Sequence, residues 1–414
     1  MPQFQSALLI IFYCFAGVAI ILALLSVRGG VRFMRYLQKE LAKELPAFAP
    51  LVTVFVPCRG LDQELKENID ALFNQDYPAF EIVFVSDSAD DPAFAVIEEA
   101  RRAFQDETGP VISTMAAGPA TDSGQKVHNL RVAVKSADPR SEVFVFTDTD
   151  ARPQRFWLRS LVAPLHDETL GAATGYRWFI SAQSGLASHL LSVWNASIAS
   201  ALGAASDKNF CWGGSTAIRR NLFEKLRLRE AWRGTVSDDF TLTRVLQDVG
   251  LPIKFVPQCI TPSLEDSTFR QLFEFTTRQL KITRVYAPHL WKAVLLGSST
   301  FTLAFFGGLV LVAIRAASGL SFTAPLFIVF VMFALGAMKS DLRLRAVALV
   351  ISNPKLRNKT TSLAHVMLWP IASGLYLYNA VAADFSRRIA WRGIGYELKS
   401  ATETVILSRE SDKL

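Results

Sequence analysis

Residues 143–153, VFVFTDTDARP, run from a continuous apolar segment directly into two aspartates, Asp148 and Asp150, with one threonine between them. A continuous apolar run is typical of a strand that is buried on both faces of a parallel sheet. In an extended segment residues i and i+2 point the same way, so the two carboxylates can face one ligand together. Crowded carboxylates repel and raise each other's pKa unless a cation joins them. The stretch therefore predicts a buried strand whose end lies at a ligand-binding edge.

Short apolar strands and helical segments alternate around this stretch. The predicted strands are 51–57, 80–86, 111–114 and 142–147, and the segments with helical spacing are 62–74, 92–105 and 125–136. This alternation favours an α/β fold, with a mostly parallel sheet and helices on both of its faces. In such sheets ligands bind beyond the carboxyl ends of the strands.

Carboxylates follow two of these strands. Asp87 follows the second strand, and Asp148 and Asp150 follow the fourth. Mg²⁺ typically takes one or two carboxylates together with substrate phosphates, so this edge suits a nucleotide diphosphate. The alternative is a plain surface turn, in which aspartates are common.

Other phosphate-binding classes are excluded by their motifs. The phosphatase pattern D-x-D-x-T would need threonine where Arg152 stands, and the pattern here follows the fourth strand rather than the first. No G-x-G-x-x-G follows the first strand and no G-x-x-x-x-G-K-[ST] occurs in the sequence. A dinucleotide-binding first turn and a P-loop are therefore not expected.

A second acidic motif, Ser237-Asp238-Asp239, lies just before Phe240 and opens the helical run 241–249. Ser237 is a good N-cap, and the helix dipole favours acidic residues in the first turn. One interpretation is that both aspartates only complement the dipole. The other is that one of them is a general base that accepts a hydroxyl proton.

Apolar segments at both ends of the chain predict an integral membrane protein. Residues 7–27 carry no charge and are long enough to cross a bilayer. They lack the basic leader and cleavage site of a signal peptide, so we expect a retained span. Basic residues follow it, which predicts that the N-terminus lies outside and the central region faces the cytoplasm, in a bacterial-type inner membrane.

Three further apolar segments lie near the C-terminus. Residues 293–314 and 321–338 predict a helical hairpin that crosses the bilayer. The segment 363–383 contains Pro370 and is followed by Arg387 and Arg388. Because basic flanks belong inside, we favour a broken re-entrant or in-plane segment over a span there.

Two segments predict contact with the membrane surface. Residues 184–205 consist mainly of small and apolar residues. This composition fits either an interfacial helix or a plain core helix, and we favour the interfacial helix. Residues 266–292 mix phenylalanines with basic residues, as an amphipathic interfacial helix does.

Charge and cysteine content narrow the functional class further. The net charge of +7 follows mostly from basic residues beside the spans, which serve orientation and anionic lipid. No surface interleaves basic residues with base-stacking aromatics, so no nucleic-acid partner is expected. The four cysteines are scattered without metal or pairing patterns, which predicts reduced thiols.

The predicted organisation has five parts. They are a transmembrane helix with a basic linker (1–48), a cytoplasmic catalytic domain (49–265), an interfacial helix (266–292), a C-terminal membrane region (293–383) and a tail (384–414).

Taken in order, the motifs resemble those of a family 2 glycosyltransferase with a nucleotide-sugar-binding fold of the GT-A type. More narrowly, they are similar to the ceramide glucosyltransferase branch and its bacterial relatives that glycosylate membrane lipids, including hopanoid-associated enzymes. The matching segments are FVSDSADDP (84–92), GQKVHNL (124–130), FTDTDA (146–151), CWGGSTAIRR (211–220), SDDF (237–240), RQLKI (278–282) and AWRGIGYEL (390–398).

The resemblance implies roles for the donor side and for the base. Asp87 would bind the uracil or ribose of a UDP-sugar, and Lys126 would contact the donor nucleotide. Asp148 would reach the nucleotide, and Asp150 would hold Mg²⁺ or Mn²⁺ on the diphosphate. Asp239 would take the proton from a lipid hydroxyl as that oxygen attacks the anomeric carbon.

The resemblance also implies an acceptor side. Its residues are Trp212, Gly213, Gly214, Asp238, Arg278 and Lys281. Trp212 would offer a flat face to a sugar or headgroup, although ordinary core packing explains it equally well. In RQLKI a lysine replaces the family's arginine and Ile282 replaces its tryptophan, which disfavours a growing polysaccharide as the acceptor.

We therefore expect an inverting enzyme that moves one sugar, glucose or a related hexose, from a UDP-sugar to a membrane lipid such as ceramide. The alternative enzyme is a polysaccharide synthase or a polyprenyl-phosphate sugar transferase of the same fold. A membrane-anchored binding protein without catalysis would not need the three acidic motifs. A transporter would need more spans than the sequence offers.

Overall fold

The computed structural model describes residues 2–104 and 109–409. Its helices, in chain order, are α1 (Pro2–Leu41), α2 (Leu65–Phe73), α3 (Pro92–Ala103), α4 (Gln125–Ala133), α5 (Trp157–Val162), α6 (Leu186–Ala199), α7 (Arg220–Lys225), α8 (Leu228–Ala231), α9 (Asp238–Asp248), α10 (Phe269–Tyr286), α11 (Pro288–Ala317), α12 (Thr323–Val347) and α13 (Lys359–Phe385). Short 3₁₀ turns lie at Ala163–His166 and Pro354–Arg357.

The strands form two sheets. They are β1 (Val52–Pro57), β2 (Phe80–Ser86), β3 (Val111–Ala116), β4 (Val143–Thr147), β5 (Ala172–Ile180), β6 (Ser215–Arg219), β7 (Ile253–Leu264), β8 (Arg388–Trp391), β9 (Ile394–Ser400) and β10 (Glu403–Arg409). The larger sheet has the order β3-β2-β1-β4-β6-β5-β7, and the smaller one has the order β10-β9-β8.

The chain folds as two compact units, and each is built from separate parts of the sequence. The first contains the long apolar helices and comprises residues 1–35, 181–201 and 266–386. The second contains both sheets and comprises residues 36–180, 202–265 and 387–414. Compared with the predicted region 49–265, the second unit lacks the segment that forms α6 and includes the C-terminal segment.

The α/β fold with a mostly parallel sheet is confirmed. Strands β3, β2, β1 and β4 are parallel, β6 is antiparallel to both of its neighbours, and β7 is parallel to β5. The continuous apolar runs predicted for β1, β2 and β4 are buried on both faces, beneath α2 and α3 on one side and α4 on the other. The packing of both faces explains why these strands do not alternate polar and apolar residues.

The antiparallel β6 determines which loops meet. Thr147, the last residue of β4, pairs with Ser215, the first residue of β6. The loop that precedes β6 therefore lies at the same edge of the sheet as the aspartates that follow β4. The carboxyl ends of β5 and β7 lie at this edge too, because both strands run parallel to β4.

The C-terminal tail, for which the sequence indicated no structure, forms the small antiparallel sheet β8–β10 in the second unit. Arg392 and Gly393 connect β8 to β9, and both have positive φ, at 49° and 73°. Two consecutive residues with left-handed backbone conformation form a tight turn, and the twist of such a turn matches that of the two strands of a hairpin.

Among the residues that the structure describes, four helices, all in the first unit, are long and apolar enough to cross a membrane: α1 from Ala7 onward, α11, α12 and α13. The side chains of Phe12, Phe305 and Met332 belong to the apolar core that joins α1, α11 and α12. Trp369 of α13 packs against Phe301 and Phe333, and a Cβ at Gly336 would lie 2.2 Å from its ring.

Two expectations for the first unit are wrong in detail. The helix α13 continues through Pro370, so the predicted break is absent, because packing against α10, α11 and α12 holds the helix together there. Most residues of α6 are buried against α10 and α13, so it is a core helix of this unit rather than a half-exposed interfacial one. Its small residues allow this close packing.

Candidate active site

The two aspartates after β4 share one cationic partner, Arg177 of β5. Its guanidinium donates to Asp150 over 3.0 and 3.2 Å and lies 3.4 Å from Asp148 Oδ2. The intervening Thr149 points away and donates to Asp62. The i and i+2 carboxylates thus reach the same guanidinium, although the strand ends at Thr147 and a turn, not the expected extended backbone, carries Thr149 and Asp150.

A half-buried lysine links the D-x-D motif to the second acidic motif. Lys126 Nζ lies 2.7 Å from Asp148 Oδ1 and 3.3 Å from Asp238 Oδ1. Burial opposes its charge, but Asp148, Asp238 and Asp239 outweigh that effect and raise its pKa. The helix α4 begins at Gln125, so Lys126 projects from its first turn toward the sheet edge.

The aspartates that open α9 have different environments. Asp238 is buried, and burial together with the charge of Asp239 raises its pKa to about 6 even though Lys126 opposes the shift. Asp239 is half-buried and accepts hydrogen bonds from Ser237 Oγ, from Phe240 N–H at 2.7 Å and from Gly213 N–H at 3.3 Å. Of the pair, Asp239 is the accessible carboxylate.

The two glycines before β6 lie where a side chain would not fit. A Cβ at Gly213 would lie 2.5 Å from Asp238 Oδ2 and 2.7 Å from Lys126 Nζ. At Gly214 a Cβ would lie 2.2 Å from the ring of Trp212. Trp212 is buried beneath Arg177, whose guanidinium carbon is 4.9 Å from the ring centre.

Asp87 lies at the same edge, after β2. Arg59 Nη1 is 3.3 Å from its Oδ2. The nearby Asp91 caps α3, since its side chain accepts from Ala93 N–H at 2.9 Å, and it also accepts from Gly60 N–H at 3.1 Å. Asp91 therefore has a structural role, whereas Asp87 contacts only the side chains of Arg59 and Ser86 among the hydrogen bonds and ion pairs of the residues that the structure describes.

Four residues at this edge were missed by the sequence analysis: Asp62, Arg177, Glu265 and Arg392. Arg177 lies within the buried strand β5, outside every motif that the sequence analysis identified. Glu265 directly follows β7, a position that the rule for parallel strands could have flagged. Arg392, in the tail, donates to Asp62 and to the carbonyl oxygen of Arg59.

The C-terminal tail contacts the start of α4 and the loop that precedes the second acidic motif. The hydroxyl oxygen of Tyr396 accepts from Gln125 N–H at 3.2 Å, at the start of the helix that carries Lys126. Arg409 donates to Gln125 Oε1 at 3.2 Å and to the carbonyl oxygen of Ala120 at 2.6 Å. At Gly234, before the second acidic motif, a Cβ would lie 2.1 Å from the carbonyl oxygen of Thr402. The small sheet therefore fixes both loops of the site.

The charges at this edge fit a bound cation. Burial and the neighbouring Asp148 and Asp62 raise the pKa of Asp150 despite Arg177, while Lys126 and Arg177 lower that of Asp148 against the effect of burial. Burial and Asp150 raise the pKa of Glu265 to about 7.

Within residues 2–104 and 109–409, no three His, Cys, Asp or Glu side chains already form a metal cluster. One or two carboxylates are what Mg²⁺ uses when phosphates supply its other ligands. Asp150 and Asp148 match that requirement.

The two remaining predicted residues lie on α10, in the first unit. Arg278 stacks its guanidinium over Phe275 at 5.4 Å. Burial lowers the pKa of Lys281.

Sequence comparisons with known proteins identify glycosyltransferases as relatives of this chain. The sequence model of glycosyl transferase family 21 matches residues 11–404. The probable glycosyltransferase YdaM of Bacillus subtilis (strain 168) is 24% identical over 272 residues, 61% of this chain and 60% of YdaM. The ceramide glucosyltransferase of Komagataella phaffii is 30% identical over 79 residues, 19% of this chain and 16% of the yeast protein.

Two solved structures of enzymes in complex with nucleotide sugars also align with the chain. The mannosyltransferase PcManGT from Pyrobaculum calidifontis, in complex with GDP-Man and Mn²⁺, aligns with a TM-score of 0.47 and 19% identity over 90% of this chain and 99% of its own. Glucosyl-3-phosphoglycerate synthase from Mycobacterium tuberculosis, in complex with Mn²⁺ and UDP-Glc, aligns with a TM-score of 0.37 and 13% identity over 60% of this chain and 80% of its own.

Proposed function

The chain belongs to glycosyl transferase family 21, and on that premise we propose that it transfers a single hexose, glucose or a close relative, from a UDP-sugar to the hydroxyl of a membrane lipid. Its curated relatives match over 60% and 16% of their own lengths, so donor and acceptor are argued here from the site.

The observation that carries the proposal is the position of Lys126 between Asp148 and Asp238. This one ammonium group joins the D-x-D motif on the donor side to the acidic motif that contains the candidate base. A donor diphosphate at Asp148 and Asp150 and an acceptor hydroxyl at Asp239 would therefore lie in one site.

In the reaction, Asp239 accepts the proton of the lipid hydroxyl as its oxygen attacks the anomeric carbon. Its hydrogen bonds from Ser237, Phe240 and Gly213 hold the carboxylate in place. In a single displacement the bond from the anomeric carbon to the diphosphate oxygen breaks, UDP leaves and the carbon is inverted, so no second carboxylate is needed as a nucleophile. Asp238 is buried against Lys126, and its role is to position that lysine.

On the donor side, Asp87 binds the uracil or ribose, and Asp148 and Asp150 face the diphosphate. When bound at Asp150, Mg²⁺ or Mn²⁺ supplies Lewis-acid neutralisation of the diphosphate charge. Arg392 donates to Asp62 from the tip of the tail hairpin and adds positive charge next to this group. A guanidinium there can bind phosphate oxygens in a bidentate manner.

Two features support a lipid as the acceptor. The 79-residue match to a ceramide glucosyltransferase points to a lipid hydroxyl. Ile282 stands where processive relatives carry an acceptor-binding tryptophan.

To test the function, the purified protein in lipid is incubated with labelled UDP-sugars, Mg²⁺ or Mn²⁺ and candidate lipid alcohols, and the products are separated by thin-layer chromatography. We expect one glycolipid that carries a single sugar. A long polymer or a sugar on polyprenyl phosphate would replace this proposal with the alternative enzyme.

The membrane arrangement follows from chain connectivity. The tail from Arg387 onward folds in the same unit as the catalytic sheet, so the chain makes an even number of crossings between Glu265 and Arg387. Three candidate helices, α11, α12 and α13, lie in that interval. We therefore propose that α11 and α12 cross as a hairpin and that α13 lies along the cytoplasmic face of the bilayer.

Contacts at both ends of α13 support this arrangement. Just before it, Lys355 Nζ donates to the carbonyl oxygen of Ala182 at 2.8 Å, two residues after β5 ends. At its other end, Asp384 pairs with Arg284 of α10 at 2.7 Å. Both contacts lie within the first unit, and along the chain Ala182 follows β5 while Arg284 belongs to the predicted interfacial helix, so we assign both ends of α13 to the cytoplasmic side.

Single cysteines in a Cys14→Ala background test this topology with an impermeant maleimide. Ser318→Cys, in the α11–α12 loop, should react in intact cells. Ser400→Cys in the tail and Asn74→Cys beside the catalytic sheet should react only after permeabilisation. Labelling of Ser400→Cys but not Asn74→Cys in intact cells would show that α13 crosses.

A further inference from the structure

Two cations near the end of α12 have no acidic partner in the part of the chain that the structure describes. Arg343 is buried, and its Nε forms no hydrogen bond to any residue that the structure describes. Lys339 lies one helical turn earlier, close enough for the two like charges to repel. Among residues 2–104 and 109–409, the groups that influence these cations electrostatically include no carboxylate. A buried, unpaired guanidinium is costly unless an anion accompanies it.

A third cation near the end of α12, Arg345, forms an ion pair with an acidic residue of the same helix. Arg345 Nε lies 2.7 Å from Asp341 Oδ2, and both side chains are largely exposed. Asp341 is the single acidic residue in the sequence of α12. The helix therefore neutralises Arg345 internally and leaves Lys339 and Arg343 for a ligand from outside the chain.

The surroundings of Arg343 are polar but carry no negative charge. Tyr376 and His365 of α13 lie within electrostatic range of its guanidinium. His365 Nε2 and Ser192 Oγ of α6 are 3.2 Å apart. Nearby on α6, the Nε2 atom of His189 is buried without a hydrogen bond. These groups can donate to an anion, whereas an apolar pocket would exclude one.

The depth of the two cations is that of lipid headgroups. Lys339 directly follows the apolar run 321–338, and its stem lies against α1, where a Cβ at Gly30 would be 4.0 Å from Lys339 Cγ. Gly30 in turn comes just after the apolar run 7–27. The two helices therefore meet where both leave the hydrocarbon layer, which is where basic residues meet lipid phosphates.

We propose that Lys339 and Arg343 form a binding site for the phosphate of an anionic membrane lipid. The guanidinium would bind two phosphate oxygens and the ammonium a third, and the lipid's charge would relieve the repulsion between the cations. The site rests on the proposed membrane arrangement but is independent of the sugar-transfer reaction, because none of its residues lies among the acidic motifs.

Native mass spectrometry tests the site on the full-length protein in detergent, after incubation with equal amounts of phosphatidylglycerol and phosphatidylcholine. The wild type should retain phosphatidylglycerol preferentially. Arg343→Gln and Lys339→Gln should each retain it about fivefold less. Arg345→Gln is the matched control and should behave as the wild type does. Arg343→Lys, which keeps the charge, should retain most of the lipid and covers the case in which Arg343→Gln does not fold.

Three outcomes would contradict the proposal. Equal retention by all variants, with melting temperatures showing that they are folded, would remove the site. Displacement of the lipid by millimolar inorganic phosphate would make it a site for free phosphate. Recovery of the wild-type protein in the soluble fraction would instead refute the membrane arrangement.

Discussion

Arg177 donates hydrogen bonds to both carboxylate oxygens of Asp150, over 3.0 and 3.2 Å, from the middle of a buried strand. The same guanidinium contacts Asp148 and covers the ring of Trp212. One buried side chain thus compensates the acidic motif on which donor binding is proposed to depend. Without it, two neighbouring carboxylates would be left partly buried with less opposing charge.

Replacing Arg177 with glutamine should destabilise the protein by about 3 kcal/mol, because an uncompensated buried charge remains. The double variant Arg177→Gln/Asp150→Asn should recover much of that loss, since it removes the unpaired charge as well. Melting temperatures in detergent, with Arg177→Lys as the charge-conserving control, measure both effects. Additive losses in the double variant would show that the two residues do not stabilise each other.

Asp239→Asn should lower the transfer rate by about 10²–10⁴-fold and leave UDP affinity almost unchanged, because it removes only the proton acceptor. Asp238→Asn is the informative comparison. Asp238 is buried beside Lys126, so its loss should lower the melting temperature and weaken UDP binding as well. Calorimetric titration with UDP and Mn²⁺, alongside steady-state rates, separates the two. If Asp239→Asn lost binding and rate together, its assignment as the base would fail.

The tail hairpin should contribute to donor binding through Arg392. Arg392→Gln removes the guanidinium that bonds to Asp62, and we expect about tenfold weaker UDP binding, as for the loss of a charge-assisted hydrogen bond. Arg388→Gln, at an exposed position on the same hairpin, is the matched control and should bind UDP normally. Equal affinities for all three proteins would confine the tail to a structural role.

The fold and about half of this site could be predicted from the sequence, and the division has a physical basis. The strands β1, β2 and β4 were predictable because burial on both faces demands continuous apolar runs. Lys126 and the acidic motifs were identified from short local patterns. Arg177 could not be found, because its function depends on the pairing of β5 with distant strands. Arg392 was part of a recognised motif, but only the folded tail shows where that motif lies.

Stability should depend on pH through Glu265. Burial and Asp150 raise its pKa to about 7, above the ordinary value of about 4.3. The folded protein therefore holds this proton more tightly than the unfolded chain, and the resulting stabilisation is present below about pH 4 and lost as the pH rises through 7. Glu265→Gln stays neutral, so its melting temperature should fall less between pH 5 and pH 8 than that of the wild type.

The control for this pH effect is Glu403→Gln, which changes an exposed glutamate at the start of β10. Its melting curve should follow the wild-type pH dependence. Parallel curves for Glu265→Gln and the wild type would mean that Glu265 titrates in the folded protein as it does in the unfolded chain.

Gly213 is the glycine of the site that constrains the ion pair between Lys126 and Asp238. Alanine there would place a Cβ 2.5 Å from Asp238 Oδ2 and 2.7 Å from Lys126 Nζ, so this ion pair must move. A displacement of about 1 Å in a positioned group can cost about a hundredfold in rate, and we expect Gly213→Ala to lose activity on that scale. Gly203→Ala, whose Cβ would have no atom within 4 Å, should keep full activity. Because the two variants add the same methyl group, a difference between them reports on the contact with Lys126 and Asp238. Wild-type turnover in Gly213→Ala would show that the lysine link between the two acidic motifs can shift without consequence, and would remove it from the mechanism.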